Sequence, residues 1–155
     1  MKLGVLLESF RLPFLESIKA AHKLALHGVQ IFAKGEIVRD GMSNAEIKLV
    51  RSIMDGEGLE ISALCGDFGC RMFYYPQEMR AEIEREKRIM DLAKELGTNI
   101  VTPHIGVVPE NFDCEEFDNM HRVCKELADF ADSLDGHFAV ETGPEPSARL
   151  KKFLD

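Results

Sequence analysis

No apolar stretch of this sequence approaches the roughly 18 residues that cross a bilayer as a helix. The opening residues, MKLGVLLESF, are interrupted by Glu8 and read as a first strand rather than a leader. The chain also lacks any lysine- and arginine-rich run. Its 19 basic against 27 acidic residues give a net charge of −8, which argues against a nucleic acid as the main partner. Cysteine is scarce. Cys65, Cys70, Cys114 and Cys124 form no C-x-x-C pair, so a structural zinc site is not expected and the residues read as reduced thiols of a cytoplasmic protein. No G-x-G-x-x-G follows the first strand, and there is no Walker lysine motif. No G-x-S-x-G elbow exists for a serine hydrolase. Linkers and low-complexity segments are absent, so residues 1–155 read as a single domain.

What is present is a repeated unit. Five short apolar runs recur: KLGVLL, GVQIFA, EISALC, NIVTPHI and HFAVE. They are rich in Val, Ile, Leu and Phe without clean polar alternation, the pattern of strands buried on both faces of a parallel sheet. Helical stripes lie between them. Phe14, Ile18, Ala21 and Ala25 share a face, as do Ile47, Val50 and Met54. Ile89, Leu92, Ala93 and Leu96 form a third stripe. Phe117, Met120, Cys124, Leu127, Ala131 and Leu134 form the longest. The opposite faces are charged, as in EIEREKR, and read as solvent-facing.

The punctuation agrees with this division. Gly28, Gly58, Gly97 and Gly136 each stand between a helix and a strand, where a left-handed C′ residue is expected. Ser43 with Glu46, and Asp113 with Glu116, have the spacing of a capping box or its Asp analogue. Pro13 suits the first turn of the first helix. The chain thus reads β-α five times, ending in the helix pattern SARLKKFLD. Right-handed parallel crossovers leave two architectures, an open doubly wound sheet or part of a (β/α)8 barrel.

Both architectures bind ligands at the C-terminal ends of their strands. That rule selects Glu8 after strand one and Lys34 and Glu36 after strand two. It selects Cys65-Gly66-Asp67 after strand three, His104 on strand four, and Glu141 with Glu145 after strand five. A carboxylate at a strand exit can hold a hard metal ion or move a proton. A histidine there can ligate a metal or hydrogen-bond a substrate oxygen. His22, His27, His121 and His137 lie away from that rim and read as structural.

The segments KLGVLLESF, GVQIFA, ISALCGDFG, KRIMDLAKELGTNIVTPHIGVVPE and FAVETGPEP resemble the xylose isomerase-like TIM barrels. These are sugar phosphate isomerases and epimerases, whose superfamily also holds the endonuclease IV type of repair enzyme. LGTNIVTPHIG and AVETGPE carry the most specific part of the likeness. The resemblance implies an α/β fold, a partial TIM barrel of about five βα units. It implies metal-assisted proton or hydride transfer on a small carbohydrate, with a divalent Mn, Mg, Co or Zn ion. In the family a Glu on strand five, an Asp on strand six, a His on strand seven and a Glu on strand eight hold the metal. Glu141 is similar to the first of these and to a proton-transfer residue. Glu145 is similar to a nearby substrate-contacting Glu. His104 is similar to a strand-four His facing substrate or, in the endonuclease branch, metal. Glu8 shares their rim. In that branch strand three also offers a His; Cys65 and Asp67 stand there instead, which speaks against DNA repair.

A full barrel takes roughly 250 residues, and this chain offers five of eight units. The expectation is therefore a catalytically incomplete chain, as a homo-oligomer, bound to a missing barrel half, or as a piece of a longer enzyme. Open sheet edges favour such association. Two alternatives are a non-catalytic sugar- or partner-binding fragment and a receiver-like regulatory module with Asp67 as phosphoacceptor. The receiver lacks its acidic pair after strand one and its Lys after strand five.

Overall fold

The computed structural model describes residues 1–141 and 143–155. Five parallel strands form one sheet in the order β1-β2-β3-β4-β5. They are β1 (Gly4–Leu6), β2 (Gly28–Phe32), β3 (Glu60–Cys65), β4 (Ile100–Thr102) and β5 (His137–Phe138). Each strand is hydrogen-bonded to its neighbours in sequence, so β1 and β5 are the edges. This is the arrangement of a partial barrel, as the sequence implies.

The helices are α1 (Phe14–Lys23), α2 (Asn44–Gly56), α3 (Arg71–Tyr74), α4 (Arg80–Leu96), α5 (Glu115–Ser133) and α6 (Ser147–Leu154). The stripes seen in the sequence become the core: Ile18 and Ala21 on α1, Ile47, Val50 and Met54 on α2 are all buried. Ile89, Leu92, Ala93 and Leu96 on α4 are buried with Met120, Cys124, Leu127 and Ala131 on α5. They close over the strand row Ile31, Leu64 and Val101, which is at most 2% exposed. Each such side chain stabilises the fold by about 1.5–3 kcal/mol relative to leaving it in water. No helix of the described residues is long and apolar enough to cross a membrane.

Several local expectations need correction. The strands are not buried on both faces: Gln30, Phe32, Ile100 and Thr102 are only half-buried. On that second face the Gln30 amide donates to the Thr102 hydroxyl across β3. Ala25 lies beyond the end of α1 and is not part of its face. It takes a left-handed φ of 53°, and Asp135 takes one of 56°, at the two turns where Gly28 and Gly136 were expected to do so. Those two glycines serve close approach instead, since a Cβ on Gly136 would stand 3.1 Å from the Asn99 carbonyl. Gly58 and Gly97 do take the left-handed conformation, with φ of 66° and 93°.

Ser43 and Glu46 form the capping box on α2. Asp113 caps nothing: its own N–H donates to Asn111 Oδ1 at 2.9 Å, and Cys114 becomes the N-cap of α5. Pro13 is the N-cap of α1, its carbonyl accepting the Ser17 N–H at 2.9 Å. The strands continue as single hydrogen bonds past their formal ends. Ala33 N–H donates to Cys65 O at 2.9 Å, Gly66 N–H to Thr102 O at 3.2 Å and Glu141 N–H to Pro103 O at 3.3 Å. These bonds hold the exits of β2 to β5 side by side.

Candidate functional site

The side chains at those exits form a row of charge. Lys34 Nζ donates to the Asp67 carbonyl at 2.7 Å and lies 4.0 Å from the Asp67 carboxylate. Asp67 Oδ2 is 3.4 Å from His104 Nδ1. On the other side of the same ring, His104 Nε2 is 3.2 Å from Glu141 Oε2. Four residues from four successive strand exits thus stand in contact order, Lys34, Asp67, His104, Glu141. The side chains of His104 and Glu141 are each 51% exposed, so the pair faces solvent. A neutral imidazole donates through one nitrogen and accepts through the other; the cation donates through both. His104 is therefore placed to pass a proton between flanking carboxylates.

Glu8 belongs to the same rim but not to this row. A 3-10 turn over Leu7–Phe10 carries it, and its Oε1 accepts the Phe32 N–H at 3.1 Å. That bond ties the exit of β1 to the exit of β2. Beside it lies a cleft of about 210 Å³ lined by Glu8, Ser17, Phe32 and Glu36 among others. Glu145, just beyond the β5 exit, is partly buried. Its Oε1 accepts the Gly143 N–H at 3.1 Å, and its Oε2 is buried without a partner among the described residues.

The segment after β4 is pinned by Tyr74. Its hydroxyl accepts the Val107 N–H at 2.7 Å and donates to the Val107 carbonyl at 3.2 Å. Burial pushes the Tyr74 phenol up. Cys65, under the row, is buried, and that burial also pushes its thiol up. It is a neutral packing group, not a nucleophile. The four other histidines are away from the rim, as expected. His27 Nδ1 accepts the Leu3 N–H at 3.1 Å, His22 Nδ1 meets the Glu57 carbonyl at 2.9 Å, and His121 packs against the rings of Phe117 and Phe153.

The fit to a divalent metal is partial. Among the described residues no three His, Cys, Asp or Glu side chains converge on one point. Glu141 and His104 offer two donors, whereas Mn²⁺ or Mg²⁺ needs several oxygen ligands. The described residues therefore do not make a complete metal site.

One buried acid escaped the sequence reading. Glu86 lies in the EIEREKR run that reads as solvent-facing, yet it is 0% exposed. The signal was its spacing: it stands three residues after Ile83 and three before Ile89, both fully buried.

No curated protein matches the chain by sequence. Several solved structures match it by shape. A xylose isomerase domain protein from Planctomyces limnophilus is 24% identical with a TM-score of 0.77, over 98% of this chain and 58% of that one. The probable 3-DHS dehydratase AsbF of petrobactin synthesis from Bacillus anthracis is 15% identical with a TM-score of 0.78, over 99% and 58%. D-psicose 3-epimerase, solved in the presence of D-fructose, is 16% identical with a TM-score of 0.76, over 99% and 59%. The chain thus spans under two thirds of the length of each. At these identities the likeness establishes the fold. By sequence, residues 18–154 match the family described as xylose isomerase-like TIM barrel. That match covers most of the chain, and with five parallel βα units in barrel order it makes this protein a member of the xylose isomerase-like TIM barrel family.

Proposed function

We propose that these residues belong to a sugar isomerase or epimerase that acts on a small ketose or aldose, with Glu141 as the proton-transfer residue. The observation that carries the reading is the His104–Glu141 contact of 3.2 Å at the C-terminal rim of the sheet. Glu141 takes the proton from a carbon next to a carbonyl. His104 is placed to receive that proton from Glu141 and, being half-exposed, to exchange it with water. Glu8 and the cleft beside it supply a polar and aromatic wall for the rest of the sugar. Epimerases among the similar structures support this substrate class. So does a relative from Mycobacterium smegmatis solved with magnesium, for a metal-assisted form of it. Glu141 would be one ligand of that ion, and the others would come from outside the described residues. A second copy or further barrel units would supply them, closing the sheet along its open edges. The protein is read as cytoplasmic from its unpaired cysteines, and the net charge of −8 argues against a nucleic-acid partner.

The test is solvent exchange. Metal-freed protein is titrated with Mn²⁺ and its oligomeric state is read on the same sample. Ketoses, D-fructose first, are then incubated with it in D₂O. Expected is deuterium at the carbon beside the carbonyl, with Glu141→Gln lowering the rate by about 10²–10⁴. Turnover without deuterium would favour a hydride shift between neighbouring carbons. Sugar binding with neither metal binding nor turnover would favour the non-catalytic alternative.

A further inference from the structure

Glu86 is the most unusual group in the molecule outside the rim. It is fully buried on α4, and neither carboxyl oxygen has a hydrogen-bond partner among the described residues. An unpaired buried carboxylate is costly, so the neutral acid is the form that fits. The carboxyl occupies a hollow under Gly66. A Cβ on Gly66 would stand 2.8 Å from the Glu86 carboxyl carbon and overlap its oxygen. The glycine thus makes room for the acid, and the next residue is Asp67, the second member of the rim row.

The surrounding charges do not compensate it. Asp67 repels the ionised form. Arg85, on the same helix, is the one attracting group, and its guanidinium lies over the Phe68 ring at 4.0 Å. Cations on the neighbouring elements are engaged elsewhere. Lys34 holds the Asp67 carbonyl, Arg71 faces Glu78, Arg51 holds the Glu95 carbonyl, and Lys87 lies between Glu84 and Glu126. Arg88 holds Asp40. The Cys65 thiol on β3 is kept neutral by burial. Burial first, and Asp67 second, push the Glu86 carboxyl up to about 8.

The segment above this acid is tied to its neighbours by a few contacts: Gly66 N–H donates to Thr102 O at 3.2 Å, Lys34 Nζ to the Asp67 carbonyl at 2.7 Å, and Arg85 lies over Phe68. The Gly69 N–H bond to Asp67 Oδ1 at 3.1 Å is internal to the segment. Lifting it would let water reach Glu86 at less cost than unfolding the sheet. We infer that Glu86 is a proton-operated latch for the segment from Gly66 to Cys70. Protonated, it lets the segment seat on α4 and present Asp67 to Lys34 and His104. Ionised, it drives the segment off and breaks the charge row at the rim.

The test is a pH titration of the whole chain by NMR, with carboxyl-labelled glutamate and the Gly66 and Gly69 amides followed in the same samples. One glutamate should titrate with a midpoint near 8, and both glycine amides should move with that midpoint. Hydrogen exchange across residues 66–70, corrected for intrinsic base catalysis, should rise at least about tenfold from pH 7 to 9. Glu86→Gln, neutral at every pH, should abolish the titration and the rise. No glutamate titrating above pH 6 would overturn the latch. So would a Glu86 titration that leaves Gly66 and Gly69 unmoved, or the same loop response in Glu86→Gln. Should that variant not fold, the agreement or disagreement of the wild-type midpoints decides.

Discussion

Gly28 faces the backbone carbonyl of Glu60 across the β2–β3 pair so closely that a Cβ would stand 2.8 Å from that oxygen. The pair occupies the first register position of two central strands, where neither backbone can yield without disturbing the ladder. Gly28→Ala should destabilise the fold by about 1–3 kcal/mol, as overpacking does elsewhere. Urea unfolding with the slope held in common checks it; an unchanged midpoint would show that the strands shift freely at this point.

Glu86 makes stability depend on pH in a direction opposite to that of a salt-bridged acid. Above its ordinary value of 4.5 the unfolded chain releases a proton that the folded chain keeps up to about 8. Folded protein therefore binds more protons than unfolded protein in that window, and stability falls as pH rises through it. The slope is about 1.4 kcal/mol per pH unit at most, levelling off above pH 8. Glu86→Gln should remove this component, so that its advantage over wild type grows from pH 5 to pH 8. Urea midpoints of both proteins at pH 5, 6.5 and 8 measure it.

On the acid side Glu126 is one of the groups that act in the opposite sense. Glu126 on α5 receives Arg80 at 2.6 and 2.7 Å and Lys87 at 2.6 Å, both from α4. The Arg80 hydrogen bonds, with those of Lys87, hold its carboxyl down at about 2. Its contribution is present above the ordinary carboxylate value and is lost as pH falls toward 2. The cluster is solvent-facing, so Glu126→Gln should cost only about 0.5–1 kcal/mol at pH 7. That loss should shrink below pH 4 and in 1 M salt, as thermal unfolding in each condition would reveal.

Ser43 accepts the Glu46 N–H at 3.4 Å while Glu46 accepts the Ser43 N–H at 2.7 Å. Ser43→Ala should cost about 1 kcal/mol by leaving α2 without its N-terminal acceptor. Faster hydrogen exchange should be confined to the first turn of α2; loss spread across the whole sheet would point to a different role.

Most of the architecture was legible because the residues that build it repeat. Ile18, Val50, Leu92 and Leu127 lie on helical stripes, and one long helical stripe stands between each pair of successive apolar runs. The short α3 and the 3-10 turn at Leu7–Phe10 were not legible, because elements of one turn carry no periodicity. The rim was partly legible. Strand exits located Asp67, His104 and Glu141, but contact between them depends on register, which the sequence does not state. Glu145 illustrates the limit, since the motif gives no sign of its local bond from the Gly143 N–H. Glu86 shows the converse. Its charge argued for solvent, while its position between Ile83 and Ile89 placed it inside.

The simple strand order has a consequence for how the chain is made. Because each strand pairs with the one just before it in sequence, the sheet can grow outward from the N-terminal side as the polypeptide leaves the ribosome. Among the described strands none from β2 onward must wait for a distant partner, which keeps the entropy of loop closure small at each of these steps. The cost falls on the growing edge, where every newly completed unit leaves a fresh row of unpaired amides and carbonyls exposed until its successor arrives.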